Sequence, residues 1–346
     1  MTAASPVVPI DPVRDPAWAD LVRRRGGGLF HSPPWLAALG EAYGFVPRAY
    51  LVGGSAGVAF CELDDALGRR ILSLPFSDCC DPLVEAAADW DLLLERLAAH
   101  GAPVRLRCLD AALPRADPRL AATRRARWHD MAVAASAEAQ WAALAGGTRR
   151  AIRKAERSHV EIRPLEGEAG MAAFRRLHVG LRKRKYRLLA QPAAFFAALR
   201  RRFEPDGHWH PLGAWLDGRL IAATLYLRWG DTLYYKFNAS DLDALAVRPN
   251  SLLAWAGLGL ARALGCRRLD LGPSDDDQPG LIRFKRDLGA TERELRVLDL
   301  VPAGWRDPRA DELRRLLGEL TTLLTAAEVP DEVAGAAGGL LYRYFA

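Results

Sequence analysis

The chain has 346 residues, of which 50% are hydrophobic and 26% are charged, and its formal net charge is +6. This length suffices for two domains with substantial cores, and the composition excludes a largely disordered chain. The basic charge favours anionic partners, such as nucleotide phosphates, tRNA or acidic cell-wall precursors. No window reaches the roughly 20 apolar residues of a membrane span, and residues 1–18 lack the apolar region of a signal peptide, so we expect a cytoplasmic protein.

The motifs of several large enzyme classes are absent from the sequence. It contains no GxSxG, no P-loop and no GxGxxG, so hydrolase, NTPase and dinucleotide-binding functions lose their usual support. The cysteines form no CxxC pair and no histidine stands at metal-ligand spacing, so we expect reduced thiols and no metal site. They are Cys61, Cys79, Cys80, Cys108 and Cys266.

The first half of the chain predicts three short strands, a helix and a further strand. The strand candidates, joined by glycine-rich turns, are PRAYLVGG, AGVAFCELDD and GRRILSLPF. A helix is expected between Asp81, as its cap, and Gly101, just past its end, with Pro82 in the first turn. The strand Val104–Leu109 follows.

The second half repeats that order at a spacing of about 160 residues. Its strand candidates are HWHPLGAWLDG, RLIAATLYLRWG and DTLYYKFNAS. The turns Asp217-Gly218 and Gly230-Asp231 fit tight hairpins. An almost wholly apolar helix is expected from about Ser251 to Leu264. A strand RRLDLG, a short helix PGLIRFKRDLG and a last strand RELRVLDLV complete the unit. The repeat predicts an α+β protein with two similar modules.

A basic helical stretch over residues 146–164 joins the two halves. Five of its cations recur at offsets of three and four, so several share one face. They are Arg149, Arg150, Arg153, Lys154 and Arg157. This face is either a solvated surface or a ridge that faces an anion. A second basic run, LRKRKYR, follows, and the C-terminal residues predict two helices divided near Pro330.

We expect three segments in the chain. Residues 1–145 form an N-terminal module, residues 146–301 form a C-terminal module that carries the expected active site, and residues 302–346 form a helical extension docked on the body.

A polar, cationic junction separates the strand TLYYKFNAS from the apolar helix. It consists of Arg248, Pro249, Asn250 and Ser251. The first turn of a helix leaves backbone N–H groups unpaired, and the helix dipole adds positive charge there. With Asn250 as the cap and Arg248 beside it, the junction predicts a phosphate or carboxylate site, with an ordinary capped helix as the alternative. Gly257 and Gly259 predict close packing of the helix on a sheet.

Several stretches together resemble a known family. YYKFNASD, RPNSLLAW, ALGCRRLDLGPSD and GLIRFKRDLGA resemble the GNAT-type acyltransferase fold, and specifically the FemAB-like branch with two GNAT modules. RRAIRKAE, LPFSDCCDPL and LYRYFA extend the resemblance over nearly the whole chain. Similar proteins are often labelled BioF2-like or CelD-like acetyltransferases. The resemblance implies tandem modules, each a mostly antiparallel twisted sheet flanked by helices, with an active cleft between them.

The resemblance also implies a donor, which is acyl-CoA or aminoacyl-tRNA. A CoA-binding GNAT protein has a Q/R-x-x-G-x-G/A loop at the strand-to-helix junction. This chain has RPNSLL there, so the arginine is present and both glycines are missing. The side chains of Asn250 and Leu252 are expected to crowd a pyrophosphate. The departure disfavours CoA at the usual position and favours aminoacyl-tRNA or another activated donor.

Lys285 is the first candidate for catalysis. FemAB-like enzymes are similar to this chain in having a functional lysine in an FK motif, here Phe284 and Lys285, which implies stabilisation of developing charge. The alternative is a surface lysine of a helix. Tyr235 is the candidate that returns a proton to the leaving group, or else a cross-strand aromatic residue. Because side chains alternate along a strand, Lys236 lies on the opposite face from Tyr235.

The remaining candidates are polar residues that follow the two strands. Asn238, Ser240 and Asp241 either bind an amine or form a turn. Ser274 is a candidate for substrate binding, and the acids Asp275 to Asp277 either hold a cationic amino group, act as a base or form a solvated turn.

We therefore expect a transferase that moves an acyl or aminoacyl group to an amine or hydroxyl. The acceptor would be a peptidoglycan precursor, a polysaccharide or a peptide-like metabolite. The alternative function is a non-catalytic, degenerate GNAT-like module that binds tRNA or a protein partner through its basic face. Oligomeric state, the identity of the acceptor and the general base stay open.

Overall fold

The computed structural model describes residues 6–346, so the first five residues of the expected N-terminal module lie outside the described part. The strands are β1 Val7–Ile10, β2 Pro47–Val52, β3 Ala56–Asp65, β4 Gly68–Leu72, β5 Val104–Cys108, β6 Ala121–Ala132, β7 Glu161–Pro164, β8 Trp209–Leu216, β9 Arg219–Trp229, β10 Thr232–Ser240, β11 Arg268–Ser274 and β12 Thr291–Leu300. The helices are α1 Pro16–Arg24, α2 Pro33–Tyr43, α3 Ala87–Ala98, α4 Ala112–Ala116, α5 Ala137–Ala143, α6 Gly146–Arg157, α7 Gly167–Leu181, α8 Ala193–Phe203, α9 Pro249–Ala263, α10 Pro279–Asp287, α11 Pro308–Leu324 and α12 Asp331–Leu341.

The strands form one continuous sheet rather than two separate ones. Its order is β1-β2-β3-β4-β5-β12-β6-β11-β10-β9-β8-β7. Neighbouring strands are antiparallel except for the pairs β4–β5 and β10–β11. The predicted α+β class and the mostly antiparallel sheet are therefore confirmed.

The two halves of the chain have the same element order. From β1 to β6 the order is strand, two helices, three strands, helix, strand, helix, strand, and it recurs from β7 to β12. If each strand is exchanged for its counterpart in the other half, the sheet has the same strand order when it is read from its opposite edge. The halves are therefore related by an approximate twofold whose centre is the β12–β6 pair, and the predicted repeat is present.

The last strand of each half crosses to the other half of the sheet. β12 pairs with β5, and β6 pairs with β11. In the sheet, β12 therefore lies with the strands of the first half and β6 with those of the second. This grouping of strands differs from the expected division of the chain after residue 145. That expected division remains a prediction about chain segments.

The start of α3 corrects the predicted cap. The helix begins at Ala87, after a residue whose side chain makes no capping bond, and not beside Asp81. The Asp81 carboxylate instead accepts hydrogen bonds from the backbone N–H groups of Leu109 (2.8 Å) and Asp110 (3.0 Å). Asp81 therefore ties the loop after β4 to the end of β5.

The sheet has two differently packed faces. On one face, here called the α2 face, side chains such as Trp35, Phe195 and Phe237 share a large core. On the other, the α9 face, α9 packs with α6 and the strands of the second half. A side-chain carbon at Gly257 would overlap the buried Tyr226 ring, so close packing is required there.

The other predicted glycine contact is wrong. A carbon atom added at Gly259 meets nothing within 4 Å. Gly259 therefore faces open space, and the sheet does not account for a glycine at this position.

The second basic run, residues 181–187, holds the C-terminal helices. The buried Lys183 ammonium donates to the carbonyl of Val329 and lies 3.2 Å from a carboxylate oxygen of Asp331. Arg187 donates to the carbonyl of Thr325 at 2.8 Å. These bonds join the end of α7 to the turn between α11 and α12. Within residues 6–346, no helix combines the length and apolar character that a bilayer crossing needs.

Candidate active site

A gap opens between β10 and β11 near the middle of the sheet. The two strands pair in parallel only over Thr232–Tyr234 and Arg268–Asp270. Beyond that point β10 continues beside β9 and β11 continues beside β6, and both strands have an irregularity just after the last shared pair. Gly272 has φ +66 at the irregularity in β11, a left-handed conformation that favours glycine. The separation exposes backbone groups of β11 to side chains from other elements.

Lys285 of α10 fills part of this gap. Its ammonium donates to the carbonyls of Gly272 (2.9 Å) and Pro273 (2.8 Å), and the residue is only 5% exposed. Burial lowers the pKa of Lys285 to about 8, although the carboxylates of Asp78 and Asp270 oppose that shift. Lys285 is therefore a buried, hydrogen-bonded cation and not a surface lysine.

Asp270 lies beside it on β11. The residue is 7% exposed, and its carboxylate accepts the N–H of Gly272 at 2.7 Å. Burial raises the pKa of Asp270 to about 7, with further repulsion from Asp78 and Asp130. An acid and an amine that both change charge near neutral pH thus share one site, as catalytic pairs often do.

A second ion pair joins the two halves of the chain. The Lys236 ammonium lies 2.7 Å from a carboxylate oxygen of Asp78, and its side chain is 7% exposed. The rings of Phe30, Trp35 and Phe237 surround it, with centroids 5.1, 5.5 and 5.0 Å away. These contacts stabilise the cation in an apolar setting. Asp78, Lys236, Asp270 and Lys285 are called the four-charge cluster below.

The loop that carries Asp78 has an unusual backbone. Leu74 and Phe76 have φ values of 72 and 54, which side-chain-bearing residues rarely adopt. The loop is held by the indole N–H of Trp35, which donates to Ser77 Oγ at 2.8 Å, and by Arg107, which donates to the Asp78 carbonyl at 2.9 Å. Such strain is costly and collects at functional sites. Here the turns direct a carboxylate of the first half toward β10.

Strand β6 adds buried polar groups opposite the irregularity in β11. His129 is paired in register with Gly272 and is fully buried, and burial lowers its pKa. Its Nε2 lies 3.4 Å from Glu292 in a geometry that is not a hydrogen bond. Within residues 6–346, the Ser274 hydroxyl, 2% exposed, also has no hydrogen-bond partner. The polar atoms of His129 and Ser274 therefore lie buried and unpaired beside the four-charge cluster.

The strand-to-helix junction differs from the prediction. Asn250 is not the cap of α9, because its side-chain oxygen accepts from Asn238 (3.2 Å) and Ser240 (2.9 Å) on β10. The cap position belongs to Arg248, which is exposed with φ 63 and makes no side-chain capping bond. Leu252 is buried, so it does not project into the junction as expected.

Two more predicted residues of the junction have local roles. The N–H of Ser251 donates to the Arg248 carbonyl at 3.2 Å, and Ser251 is 9% exposed. Asp241 caps the short turn Leu242–Val247 and pairs with Arg219 at 2.6 Å. The junction is therefore tied to β10 by side chains, with Arg248 as its exposed cation.

The acids after β11 are mostly paired with arginines. Asp275 lies 2.7 Å from Arg124, and Asp276 lies 2.6 Å from Arg127. Both arginines belong to β6. Neither aspartate approaches the site as an unpaired carboxylate, so a role in holding an amine is not favoured for them.

Tyr235 and Phe284 pack on the α9 face. The Tyr235 ring meets the Tyr226 ring edge to face at 5.4 Å, and burial raises its pKa. Phe284 packs against the same core and anchors α10. Tyr235 thus lies on the opposite face of β10 from Lys236, as the alternation predicts, and outside the four-charge cluster.

The basic helix α6 is mainly exposed. Arg149 is the exception, because it donates to the carbonyl of Leu144 at 2.8 Å. The other four cations of the predicted face, Arg150, Arg153, Lys154 and Arg157, are exposed. Because α6 packs on α9, these cations and Arg248 belong to the same side of the molecule.

Two residues of the cluster were not among the sequence candidates. Asp78 has no local signal, because its partner Lys236 is 158 positions away. Asp270 does have a local signal, because it lies between two leucines in a predicted strand and is therefore expected to be buried. Burial of a carboxylate is costly, so such a position is a candidate for a functional role.

Comparisons with known proteins agree with this fold. Residues 142–286 match the family model described as an acetyltransferase (GNAT) domain. No curated protein sequence matches the chain. Among solved structures, FemX aligns with a TM-score of 0.58 at 13% identity, covering 84% of this chain and 95% of FemX.

Two further solved structures have the same fold. The C-terminal domain of a putative lysylphosphatidylglycerol synthetase from Agrobacterium fabrum aligns with a TM-score of 0.52 at 15% identity, covering 88% of this chain and 97% of that domain. A tandem GNAT protein from the clavulanic acid biosynthesis pathway aligns with a TM-score of 0.52 at 15% identity, covering 87% and 99%. At these identities the likeness establishes the fold.

Proposed function

We propose that this chain, a two-module GNAT protein of the FemAB-like type, is an acyltransferase that moves an acyl or aminoacyl group to an amine or hydroxyl. The observation that carries the proposal is the four-charge cluster at the gap between β10 and β11. Acyl transfer needs a group that takes a proton from the nucleophile and a cation that stabilises the oxyanion. The cluster contains a candidate for each.

Lys285 is the group that stabilises the oxyanion. An ammonium has three N–H donors, and two of those of Lys285 are used by the carbonyls of Gly272 and Pro273. The third can donate to the oxygen of the reacting carbonyl. The two carbonyls fix the direction of the ammonium before the substrate arrives, so little reorganisation is needed in the transition state.

Asp270 is the group that takes the proton. With a pKa of about 7, its carboxylate is ionised at slightly alkaline pH and is then a stronger base than an ordinary aspartate. The Asp78–Lys236 pair lies next to both groups and sets the local field. Asp78 and Asp270 repel each other, and Lys236 offsets part of that repulsion.

The donor is an activated acyl group with a large anionic part. The two glycines of the CoA-binding loop are absent at the junction, which supports a donor other than CoA in its usual position. The exposed cations of α6 together with Arg248 form a broad basic surface, which suits aminoacyl-tRNA. One structural neighbour is named as a putative lysylphosphatidylglycerol synthetase, which is consistent with transfer of an aminoacyl group.

A peptidoglycan precursor, a polysaccharide or a peptide-like metabolite is the proposed acceptor class. The rival function, a non-catalytic module that binds tRNA or a protein through the basic surface, uses the same cations. The two differ in what they require of Lys285, because binding at the surface of α6 does not need a buried ammonium beside β11.

The experiment compares donors and variants. The protein is incubated with a cell extract and either labelled acetyl-CoA or a pool of labelled aminoacyl-tRNA, and new acylated products are identified by mass spectrometry. In Lys285→Met we expect the transfer rate to fall by about 10²-fold or more, the scale of losing an oxyanion donor. Lys185→Met, at an exposed lysine that belongs neither to the four-charge cluster nor to the basic surface of α6, is the matched control and should retain full transfer. Transfer by Lys285→Met at the wild-type rate would remove the assigned role, and no product with either donor would favour the binding module.

A further inference from the structure

A cavity lies on the α2 face next to the four-charge cluster. Its volume is about 370 Å³, within the range of small-molecule sites. Aromatic walls come from Phe30, Trp128 and Tyr234, and Asp270 lines it at the point where β10 and β11 separate. Both halves of the chain line it, because the loops around Gly28 and Pro82 come from the first half and Tyr234 and Asp270 come from the second.

Two buried donors or acceptors of this wall are unpaired. Within the described residues, neither Trp128 Nε1 nor His31 Nδ1 has a hydrogen-bond partner, and these residues are 2% and 5% exposed. The lining therefore includes two residues with a polar atom that the described part of the chain does not pair.

The charges around the cavity are paired, with one exception. Arg25 pairs with Glu85, Arg293 lies 2.6 Å from Asp110, and Asp231 pairs with Arg267. The Asp81 carboxylate accepts three backbone N–H groups. Asp270 is the exception in the described part of the chain. Its carboxylate accepts one backbone N–H, that of Gly272, and the nearby Arg268 and Arg293 pair with Asp130 instead.

We propose that this cavity binds the acceptor of the reaction, as a primary amine on a small apolar or aromatic body, with its ammonium against Asp270. The proposal rests on the acyltransferase function above and names the substrate class of that site. An ammonium supplies the charge partner that Asp270 lacks, and the aromatic walls favour both an apolar body and a cation.

The transfer step follows from this placement. The ammonium gives one proton to the Asp270 carboxylate, and the free amine nitrogen attacks the carbonyl carbon of the donor. A C–N bond forms, and the bond from that carbon to the thioester sulfur or ester oxygen of the donor breaks. The leaving sulfur or oxygen takes the second proton that the nitrogen loses in becoming an amide, and Asp270 releases the first proton to solvent. No oxidant or reductant is needed.

The affinity of the cavity for an amine depends on the charge of Asp270. The groups that face Asp270 from the surrounding elements are Asp130 of β6, Asp78 and Cys79 of the loop after β4, Tyr234 of β10, Arg268 of β11 itself, Lys285 of α10 and Arg293 of β12. Since the pKa of Asp270 is about 7, the carboxylate is charged above that pH and neutral below it. An alkylamine stays protonated well above pH 8, as lysine does with its pKa of about 10.4. Amine binding should therefore tighten as the pH rises through 7.

The test uses three probes of equal size and different charge. Phenethylamine, phenethyl alcohol and hydrocinnamate are titrated into the full chain by calorimetry, which needs no catalytic turnover. Residues 79–85 supply Cys79, Pro82 and Glu85 to the lining of the cavity. Slower hydrogen exchange of residues 79–85 on addition of a probe, measured by peptide mass spectrometry, locates the bound probe.

We expect the amine to bind at least about tenfold more tightly than the alcohol, the scale of one charge-assisted hydrogen bond. The carboxylate probe should bind least, and Asp270→Asn should reduce the amine to the level of the alcohol. Asp277→Asn, which changes an exposed carboxylate of the adjacent loop, is the control and should bind like wild type. Equal affinity for amine and alcohol in the wild-type chain would overturn the proposal, as would amine binding that leaves the hydrogen exchange of residues 79–85 unchanged. Amine binding without any transfer activity would instead count against the acyltransferase and leave the cavity assignment standing.

Discussion

The pair of Asp78 and Lys236 permits a quantitative test of how the two halves are coupled. The change is Asp78→Asn, which keeps the size of the side chain and removes its charge. Lys236 then remains as a buried cation, 7% exposed, whose anionic partner at 2.7 Å has been neutralised. The variant should be less stable because an uncompensated charge stays in an apolar setting.

The structure bounds the size of this effect. Breaking a buried ion pair by removing one partner costs about 3–5 kcal/mol in general. Asp78 is 24% exposed, and the three rings around Lys236 each retain a cation–π contact of about 0.5–1 kcal/mol, so the cost is lower here. A lysine can also lose its proton at pH 7 for about 4.6 kcal/mol, which sets an upper limit. We expect a loss of about 2–4 kcal/mol in the free energy of unfolding.

The assay is urea denaturation of four proteins in a double-mutant cycle. Wild type, Asp78→Asn, Lys236→Met and the double variant are compared, and the double variant should recover at least about 1 kcal/mol relative to Asp78→Asn, since both charges are gone. Glu204→Gln removes a half-exposed carboxylate from Arg200, which keeps Glu168 as its second partner, and should cost less than about 0.5 kcal/mol. A cost for Asp78→Asn as small as that of Glu204→Gln, or additivity in the cycle, would refute the reasoning.

Three further outcomes are expected. Gly257→Ala should destabilise the chain by about 1–3 kcal/mol, because the added methyl overlaps the Tyr226 ring, whereas Gly259→Ala in the same helix should stabilise it by about 1 kcal/mol; thermal denaturation distinguishes the two. The pH profile of kcat/KM should rise through about 7 as Asp270 ionises and fall above about 8 as Lys285 loses its proton, and a flat profile between pH 6 and 9 would contradict both roles. Because the folded-state pKa of Asp270 is raised above its ordinary 3.8, the folded chain loses stability as the pH rises from about 4 to about 7; Asp270→Asn should remove up to about 4 kcal/mol of this dependence, measured by denaturation at several pH values.

The order of elements was predictable because it depends on local patterns. Alternating apolar residues and glycine-rich turns marked the strands of both meanders, and the apolar run after residue 250 marked α9. β6 was missed because residues 121–125 are exposed and carry arginines, so the strand lacks an alternating pattern there. The exchange of β6 and β12 depends on contacts between residues far apart in sequence, which a local pattern does not encode.

The site was only partly predictable for the same reason. The FK motif drew attention to Lys285, which is buried in the four-charge cluster, and the predicted fold matches that of the solved structures compared. The cap assigned to Asn250 was wrong because Asn238 and Ser240, which are distant from it by more than one helical turn, compete for its oxygen. A preference for asparagine at a helix start is a local rule, and hydrogen bonds from β10 override it here.

The exchange of strands explains why the site belongs to neither half alone. Asp78 comes from the loop after β4, and His129 comes from β6, which the first half contributes to the second half of the sheet. Lys236, Asp270 and Lys285 come from the second half. A segment that began at residue 146 would lack β6, so β11 would have an open edge opposite Gly272, and the two carbonyls that hold Lys285 would lose their support. The first half therefore acts as a structural part of the site, which gives a physical reason for retaining both modules in one chain.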